Sequence, residues 1–365
     1  MAQAPIASVG DHFLIGLRPS PLLEEEDRQL LSELCPAGVI LFKSNFRHGL
    51  PYEAWLESHA RLLADVRAAT GRERMFIAID HEGGRVCRTP PPLTRFSYAT
   101  HWAGQAAKVG RAMGRELASI GVNLNFAPVL DIHTNPKNPV IGERAFGETP
   151  ESVIAAALPF MEAMEGEKVL ACGKHFPGHG DTSIDSHLGL PSQAISLEGL
   201  RARELKPFAA AIAAGAGMIM TSHILFPAID RELPVTLSRR FLTDVLRGEL
   251  GFEGVAVSDD IGMGAMRGFF DAPESAVRLI EAGCDMVMVC AHFTETLRAR
   301  DFARAIASAA ADGRLDPELL ARSRKRVEAL LARAALNRVE KLPESVLGEN
   351  ASIAPLFESG TVEVV

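Results

Sequence analysis

Aromatic residues are scarce in this chain of 365 residues, which holds two Trp, two Tyr and 18 Phe. Long polysaccharide clefts stack sugars on Trp and Tyr, so the scarcity points to a site that holds one small polar ligand through charged hydrogen bonds. Cysteine is sparse too. Cys35, Cys87, Cys172, Cys284 and Cys290 are odd in number, scattered and without C-x-x-C spacing, which excludes a disulfide framework and suits small buried hydrophobes in a reducing compartment. Positive charge is short: 38 Lys and Arg face 46 Asp and Glu, a formal net charge of −8, with no basic stripe. Nucleic acid is excluded as a partner on that ground.

No apolar run reaches the roughly 18 residues of a membrane span. The opening MAQAPIASVGDHF has neither the basic nor the apolar region of a secretion signal. A cytoplasmic protein without a membrane partner is expected, as a monomer or weak homo-oligomer. Eleven His are present, but no H-E-x-x-H pair and no acidic calcium loop, so neither a metal nor a cofactor is expected. Gly-x-Ser-x-Gly elbows and phosphate-binding P-loops are missing as well.

What the chain does contain is a regular alternation. Short apolar runs at 12–17, 38–42, 75–79, 122–126, 169–173, 217–221, 254–258 and 285–290 are bounded by Gly, Asp or Asn, as strands buried on both faces are. Amphipathic stretches at 22–34, 52–69, 103–120, 150–165, 197–214, 238–249, 273–282, 294–311 and 317–336 separate or follow them. Thr149-Pro150 and Asp316-Pro317 place a capping residue before a helix-starting Pro. Eight strands alternating with helices predict an α/β fold, a single (β/α)8 TIM-type barrel over residues 1–338. A doubly wound sheet is the alternative, but no Gly-rich turn follows the first strand. Residues 339–365 read as a C-terminal tail, packed on the barrel or partly disordered.

Reactive groups of a barrel gather at the C-terminal strand ends. Here those ends read Asp80-His81-Glu82-Gly83-Gly84-Arg85, Gly173-Lys174-His175, Thr221-Ser222-His223 and Ser258-Asp259-Asp260. The long segments 127–149 and 174–193 are dense in His, Arg, Asp and Lys, which marks them as functional loops. Carboxylates with imidazoles are equipment for nucleophilic and acid/base chemistry on a bond such as a glycoside.

The run Lys174-His175-Phe176-Pro177-Gly178-His179-Gly180-Asp181-Thr182, followed by Asp185-Ser186-His187, resembles the signature of family 3 glycoside hydrolases of the β-N-acetylglucosaminidase (NagZ) type. Asp80 to Arg88, Asn138 to Gly147 and Gly254 to Asp260 extend the resemblance in the family's order. It implies a nucleophile at Asp259, an acid/base dyad of His187 with Asp185, and Asp80, Arg88, Arg144, Lys174 and His175 around a terminal GlcNAc. His81 stands where the family usually has Gln. The implied activity is a retaining exo-β-N-acetylglucosaminidase acting on GlcNAc-(anhydro)MurNAc muropeptides in peptidoglycan recycling. A phosphorylase that uses phosphate as acceptor, and a non-catalytic sugar-binding barrel, are the alternatives.

The dyad also makes sense by itself. A His of pKa about 6.5 can act first as acid and then as base near neutrality. Asp185, two residues away, can fix its tautomer through a local bend. Adjacent strand residues face opposite ways, so only one of Asp259 and Asp260 can easily reach a ligand, and Asp260 reads as a cap or a support for neighbouring loops. His179 and Asp181 read as loop-shaping, and His223 as a group behind the site.

Overall fold

The computed structural model describes residues 5–102, 104–291 and 294–357. Its eight strands are β1 (Phe13–Gly16), β2 (Gly38–Leu41), β3 (Phe76–Ile79), β4 (Leu124–Asn125), β5 (Leu170–Phe176), β6 (Met218–Thr221), β7 (Val255–Asp260) and β8 (Met286–Cys290). Each pairs in parallel with the next and β8 returns to β1, closing a barrel. Closure excludes the open doubly wound sheet.

Around it run α1 (Glu25–Leu34), α2 (Tyr52–Thr70), α3 (Ala106–Ser119), α4 (Pro150–Gly166), α5 (Leu197–Ala202), α6 (Leu205–Ala213), a π-wound helix over Arg240–Glu249, α7 (Glu274–Ala282) and α8 (Arg298–Ala311). The starts of α4 and of α9 (Pro317–Arg333) are capped as the sequence signals: Thr149 accepts the Ser152 amide, and Asp316 accepts that of Glu318. Each such cap is worth about 1 kcal/mol.

Alternate strand residues build two cores. Leu14, Ile40, Phe76, Leu124, Leu170, Met218, Val255 and Met286 fill the barrel, while Phe13, Ile15, Val39, Ile77, Ile219 and Val287 face the helices. Period-2 alternation between two apolar environments explains why the strands read as continuous apolar runs. Val327, Leu330 and Leu331 of α9 join the inner core, leaving the strands' C-terminal ends as the place for a site.

Several expected boundaries need correction. β5 runs to Phe176 and β7 to Asp260, so Lys174, His175, Asp259 and Asp260 belong to strands; charged side chains at a barrel mouth hide a strand from a reading based on apolar runs. β4 shrinks to Leu124–Asn125. The helix expected over 197–214 breaks into α5 and α6 around Arg203 and Glu204, and the one over 238–249 is π-wound, a difference that hydrophobic periodicity does not register.

Of the tail, residues 339–357 are described; 358–365, like residue 103 of the expected third helix, lie outside the described residues. Glu340 N–H bonds to Ser119 O at 2.8 Å. The following helix, α10 (Glu344–Ala351), brings Asn350 to the buried Glu116 carboxylate at 2.9 Å. Beyond it, Ser97 N–H bonds to Pro355 O (2.8 Å) and Phe357 N–H to Arg95 O (2.7 Å). The segment thus follows α3 back to the loop after β3. Burial pushes the Glu116 carboxyl up despite hydrogen bonds from Thr94 and Asn350.

Candidate active site

Two adjoining cavities of about 580 and 560 Å³ open at the C-terminal ends of the strands and share Asp80, Arg85, Arg88, His187 and Asp259 as walls. All eight residues singled out from the sequence line the larger one: Asp80, Arg88, Arg144, Lys174, His175, Asp185, His187 and Asp259.

One wall is an ion-paired relay. Lys174 Nζ lies 2.5 Å from both Asp80 Oδ1 and Glu82 Oε1, and Arg144 grips Glu82 through two bonds of 2.8 Å. The parallel fork is the strong form of this pair. Against burial, which favours the neutral acid, Arg144 and Lys174 hold the Glu82 carboxyl far below its usual range. Burial likewise works against charge on Lys174, but Asp80 and Glu82 outweigh it and raise its pKa. The result is a fixed array of charges suited to sugar hydroxyls. Arg88 lies nearby, its guanidinium 6.0 Å from the Phe42 ring centroid and its Nε without a hydrogen bond to any described residue.

β5 departs from regular geometry here. Its register against β6 shifts between Gly173 and Phe176, the Lys174–His175 peptide is cis, and both of these adjacent side chains line the cavity. Asp131, fully buried, explains how His175 is held: its carboxylate accepts His175 Nδ1–H at 2.6 Å and the amides of His175 and His179 at 3.2 and 2.7 Å. Against its burial, His175 and His179 hold Asp131 below the usual carboxylate range. Nε2 is then the nitrogen left to the ligand side.

The following loop carries the dyad. His187 Nδ1–H donates to Asp185 Oδ1 at 2.6 Å, and the same oxygen accepts the His187 amide at 2.9 Å. Against partial burial, those bonds hold Asp185 below its usual range. The root of the loop is tied down. Asn138 Nδ2 donates to His179 O and Gly180 O at 2.8 and 3.1 Å, and a Cβ on Gly180 would sit 1.6 Å from Ile132 O, so glycine is required where the loop crosses the segment that follows β4. The tip is seated as well: the Gly264 and Ala265 amides donate to His187 O and Ser186 O, both at 3.0 Å.

Asp259 faces the dyad and the relay. Burial favours its neutral form, but His223, His175 and His187 together hold it below the usual value, so it is a carboxylate at neutral pH. Its Oδ1 accepts the Asp260 amide at 2.8 Å. Burial lowers the pKa of His223, which bridges Thr236 Oγ1 (2.8 Å) and Asp260 O (3.0 Å) behind the carboxylate. The His179 ring, bonded to Thr182 and Ser186, shapes the loop, and Asp181 pairs with Arg203 away from the cavity. His81 is buried with its pKa lowered to about 3, its ring between Cys87 and the Arg88 amide. Among the described residues no three His, Cys, Asp or Glu side chains are grouped to hold a metal.

Sequence reasoning missed Glu82 and Asp131. Glu82 sits inside a quoted motif without a role, and Asp131 closes the apolar run Ala127-Pro128-Val129-Leu130 after β4; an acid closing such a run was the available signal.

The glycosyl hydrolase family 3 N-terminal domain model matches residues 15–330. A β-hexosaminidase of Methylococcus capsulatus is 39% identical over 278 residues, covering 74% of this chain and 80% of that one. β-Hexosaminidase A of Pseudoalteromonas piscicida is 34% identical over 347 residues, 88% of this chain but only 56% of the relative's length. Among solved structures, a family 3 β-N-acetylglucosaminidase from a Paenibacillus strain superposes with a TM-score of 0.85 at 32% identity, covering 97% of this chain and 69% of that one.

Proposed function

Because the chain belongs to glycosyl hydrolase family 3, we propose that it is a retaining exo-β-N-acetylglucosaminidase that releases terminal GlcNAc. The observation that carries the proposal is the convergence of an ionised Asp259 and the Asp185-held His187 on one cavity whose far wall is the Asp80–Lys174–Glu82–Arg144 relay. Glu82, Arg144 and Lys174 of the relay are buried and line the cavity with fixed charge, which supports the holding of one polar sugar. The GlcNAc preference draws on the relatives named above, and the muropeptide aglycone and cytoplasmic setting draw on the motif resemblance.

In this reading Asp259 attacks the anomeric carbon and forms a glycosyl ester while His187 Nε2 gives its proton to the departing oxygen. Water then enters, His187 Nε2 takes its proton, and the ester bond breaks with the second inversion. With Nδ1–H committed to Asp185, one nitrogen serves both transfers. Ionised Asp185 also stabilises the imidazolium that each cycle regenerates.

The test is a nuclear magnetic resonance time course on a chromogenic β-GlcNAc, with and without phosphate. β-GlcNAc is expected as the first product whether or not phosphate is present. An α-anomer appearing first, or GlcNAc-1-phosphate replacing GlcNAc, would overturn the proposal.

A further inference from the structure

β7 ends in two successive acids, and the second is built into the strand end in an unusual way. The Asp260 carboxyl is buried; its Oδ1 accepts the amides of Gly262 at 3.0 Å and Cys290 at 3.2 Å. Its Oδ2 is buried without a hydrogen bond to any described residue. The main chain of the same residue is used at both ends: its carbonyl accepts His223 Nε2–H at 3.0 Å, and its N–H donates to Asp259 Oδ1 at 2.8 Å. This happens where the β7–β8 register slips between Val257 and Asp260, and where Ser258 Oγ accepts the Met288 amide at 3.0 Å. Side chains replace ladder bonds at such irregularities, which re-aim a strand end.

We infer that Asp260 is a positioning residue for the nucleophile: its side chain ties the bulged end of β7 to β8, and so fixes the amide that grips one oxygen of Asp259. The other Asp259 oxygen, which has no hydrogen bond to any described residue, is thereby kept for the sugar. The inference rests on Asp259 being the nucleophile.

The chemistry of the pocket agrees. Two adjacent buried carboxylates repel, and one of them then keeps its proton. Burial pushes Asp260 up to about 7, with the neighbouring Asp259 charge adding to the rise, whereas Asp259 lies below its usual value. The division suits the roles: a fastener needs only its acceptor oxygen, while a nucleophile needs its charge. An asparagine side chain mimics the protonated acid in shape and keeps the acceptor oxygen.

Asp260→Asn and Asp260→Leu in the full chain separate this from a merely structural role. Dinitrophenyl β-GlcNAc is the substrate, because its leaving group departs without an acid and kcat/KM then reports attack by Asp259. A 1 Å misplacement of an attacking group costs roughly 100-fold, so the Leu variant is expected to lose about that much while its inhibition constant for GlcNAc stays within about threefold. Asn is expected to restore attack to within about fivefold of wild type. Wild-type attack in a folded Leu variant, equal losses of attack and GlcNAc binding, or an Asn variant as slow as Leu would each overturn the inference. Should the Leu variant not fold, Asp260→Ala is held to the same criteria. Trapping wild-type enzyme with a fluorinated GlcNAc fluoride and mapping the labelled peptide tests the nucleophile separately. A label elsewhere than Asp259 refutes that reading and leaves the variant comparison as its own result.

Discussion

Glu82 is a residue whose loss should be felt widely, because its carboxylate sits between two buried cations. Glu82→Gln leaves the Arg144 fork with a single acceptor oxygen and turns an amide donor toward a cation; Lys174 keeps Asp80 alone. Removing one partner of a buried pair costs about 3–5 kcal/mol. An unfolding entropy of roughly 2.1 cal/mol/K per residue gives about 0.77 kcal/mol/K for this chain, so Tm should fall by about 4–6 °C. The dependence on pH has a definite sign. The folded pKa of Glu82 is depressed, so its stabilisation is complete above the ordinary value of 4.5 and is lost as pH falls through the much lower folded value. The gap between wild type and variant should therefore be flat from pH 6 to 8 and narrow by about 1.4 kcal/mol per unit below 4.5. Differential scanning calorimetry at several pH values, with GlcNAc inhibition constants alongside, makes the measurement. A Tm change under about 1 °C at pH 7, or a gap that widens on acidification, would refute the reasoning.

Other expectations are narrower. Asp259→Ala should abolish hydrolysis of chromogenic β-GlcNAc, while His187→Ala should slow poor leaving groups by at least about tenfold more than activated ones; equal losses across a leaving-group series would remove His187 from the acid role. Asp131→Asn turns a donor toward His175 Nδ1, reverses the imidazole tautomer and should weaken GlcNAc binding by roughly 10–100-fold, which isothermal titration can read; unchanged affinity would mean the tautomer is irrelevant to the sugar. A Cβ on Gly264 would meet His187 O at 2.5 Å and Leu188 O at 2.7 Å. Gly264→Ala should accordingly unseat the dyad loop and lower kcat by about tenfold or more with little change in Tm, and wild-type turnover would show that the seat is dispensable.

The fold was legible because most strand residues are apolar on both sides, so eight short runs stood out between amphipathic helices. Legibility failed where polar chemistry enters a strand. Lys174, His175 and Asp259 end the apolar pattern before the hydrogen-bonded ladder ends, and β5 and β7 are both longer than they read. The motif positions converge on one cavity, yet the two acids that fasten them went unrecognised. Glu82 and Asp131 act on Arg144, Lys174 and His175 from 44 to 92 positions away in the chain. Such pairings belong to the closed barrel, and no local spacing announces them. Asp260 differs from these two: the sequence marked it as a cap or support, but its bond from the Cys290 amide depends on β8.

The segment after the last barrel helix bears on how this molecule could be handled. Residues 355 and 357 hydrogen-bond the backbone of Arg95 and Ser97, in the same excursion from β3 that delivers Arg85 and Arg88 to the cavity. A barrel trimmed after residue 338 would keep every strand and every motif, yet leave that excursion with one shore only. A junction for a reporter or a second module accordingly belongs beyond residue 357, where these backbone bonds stay intact.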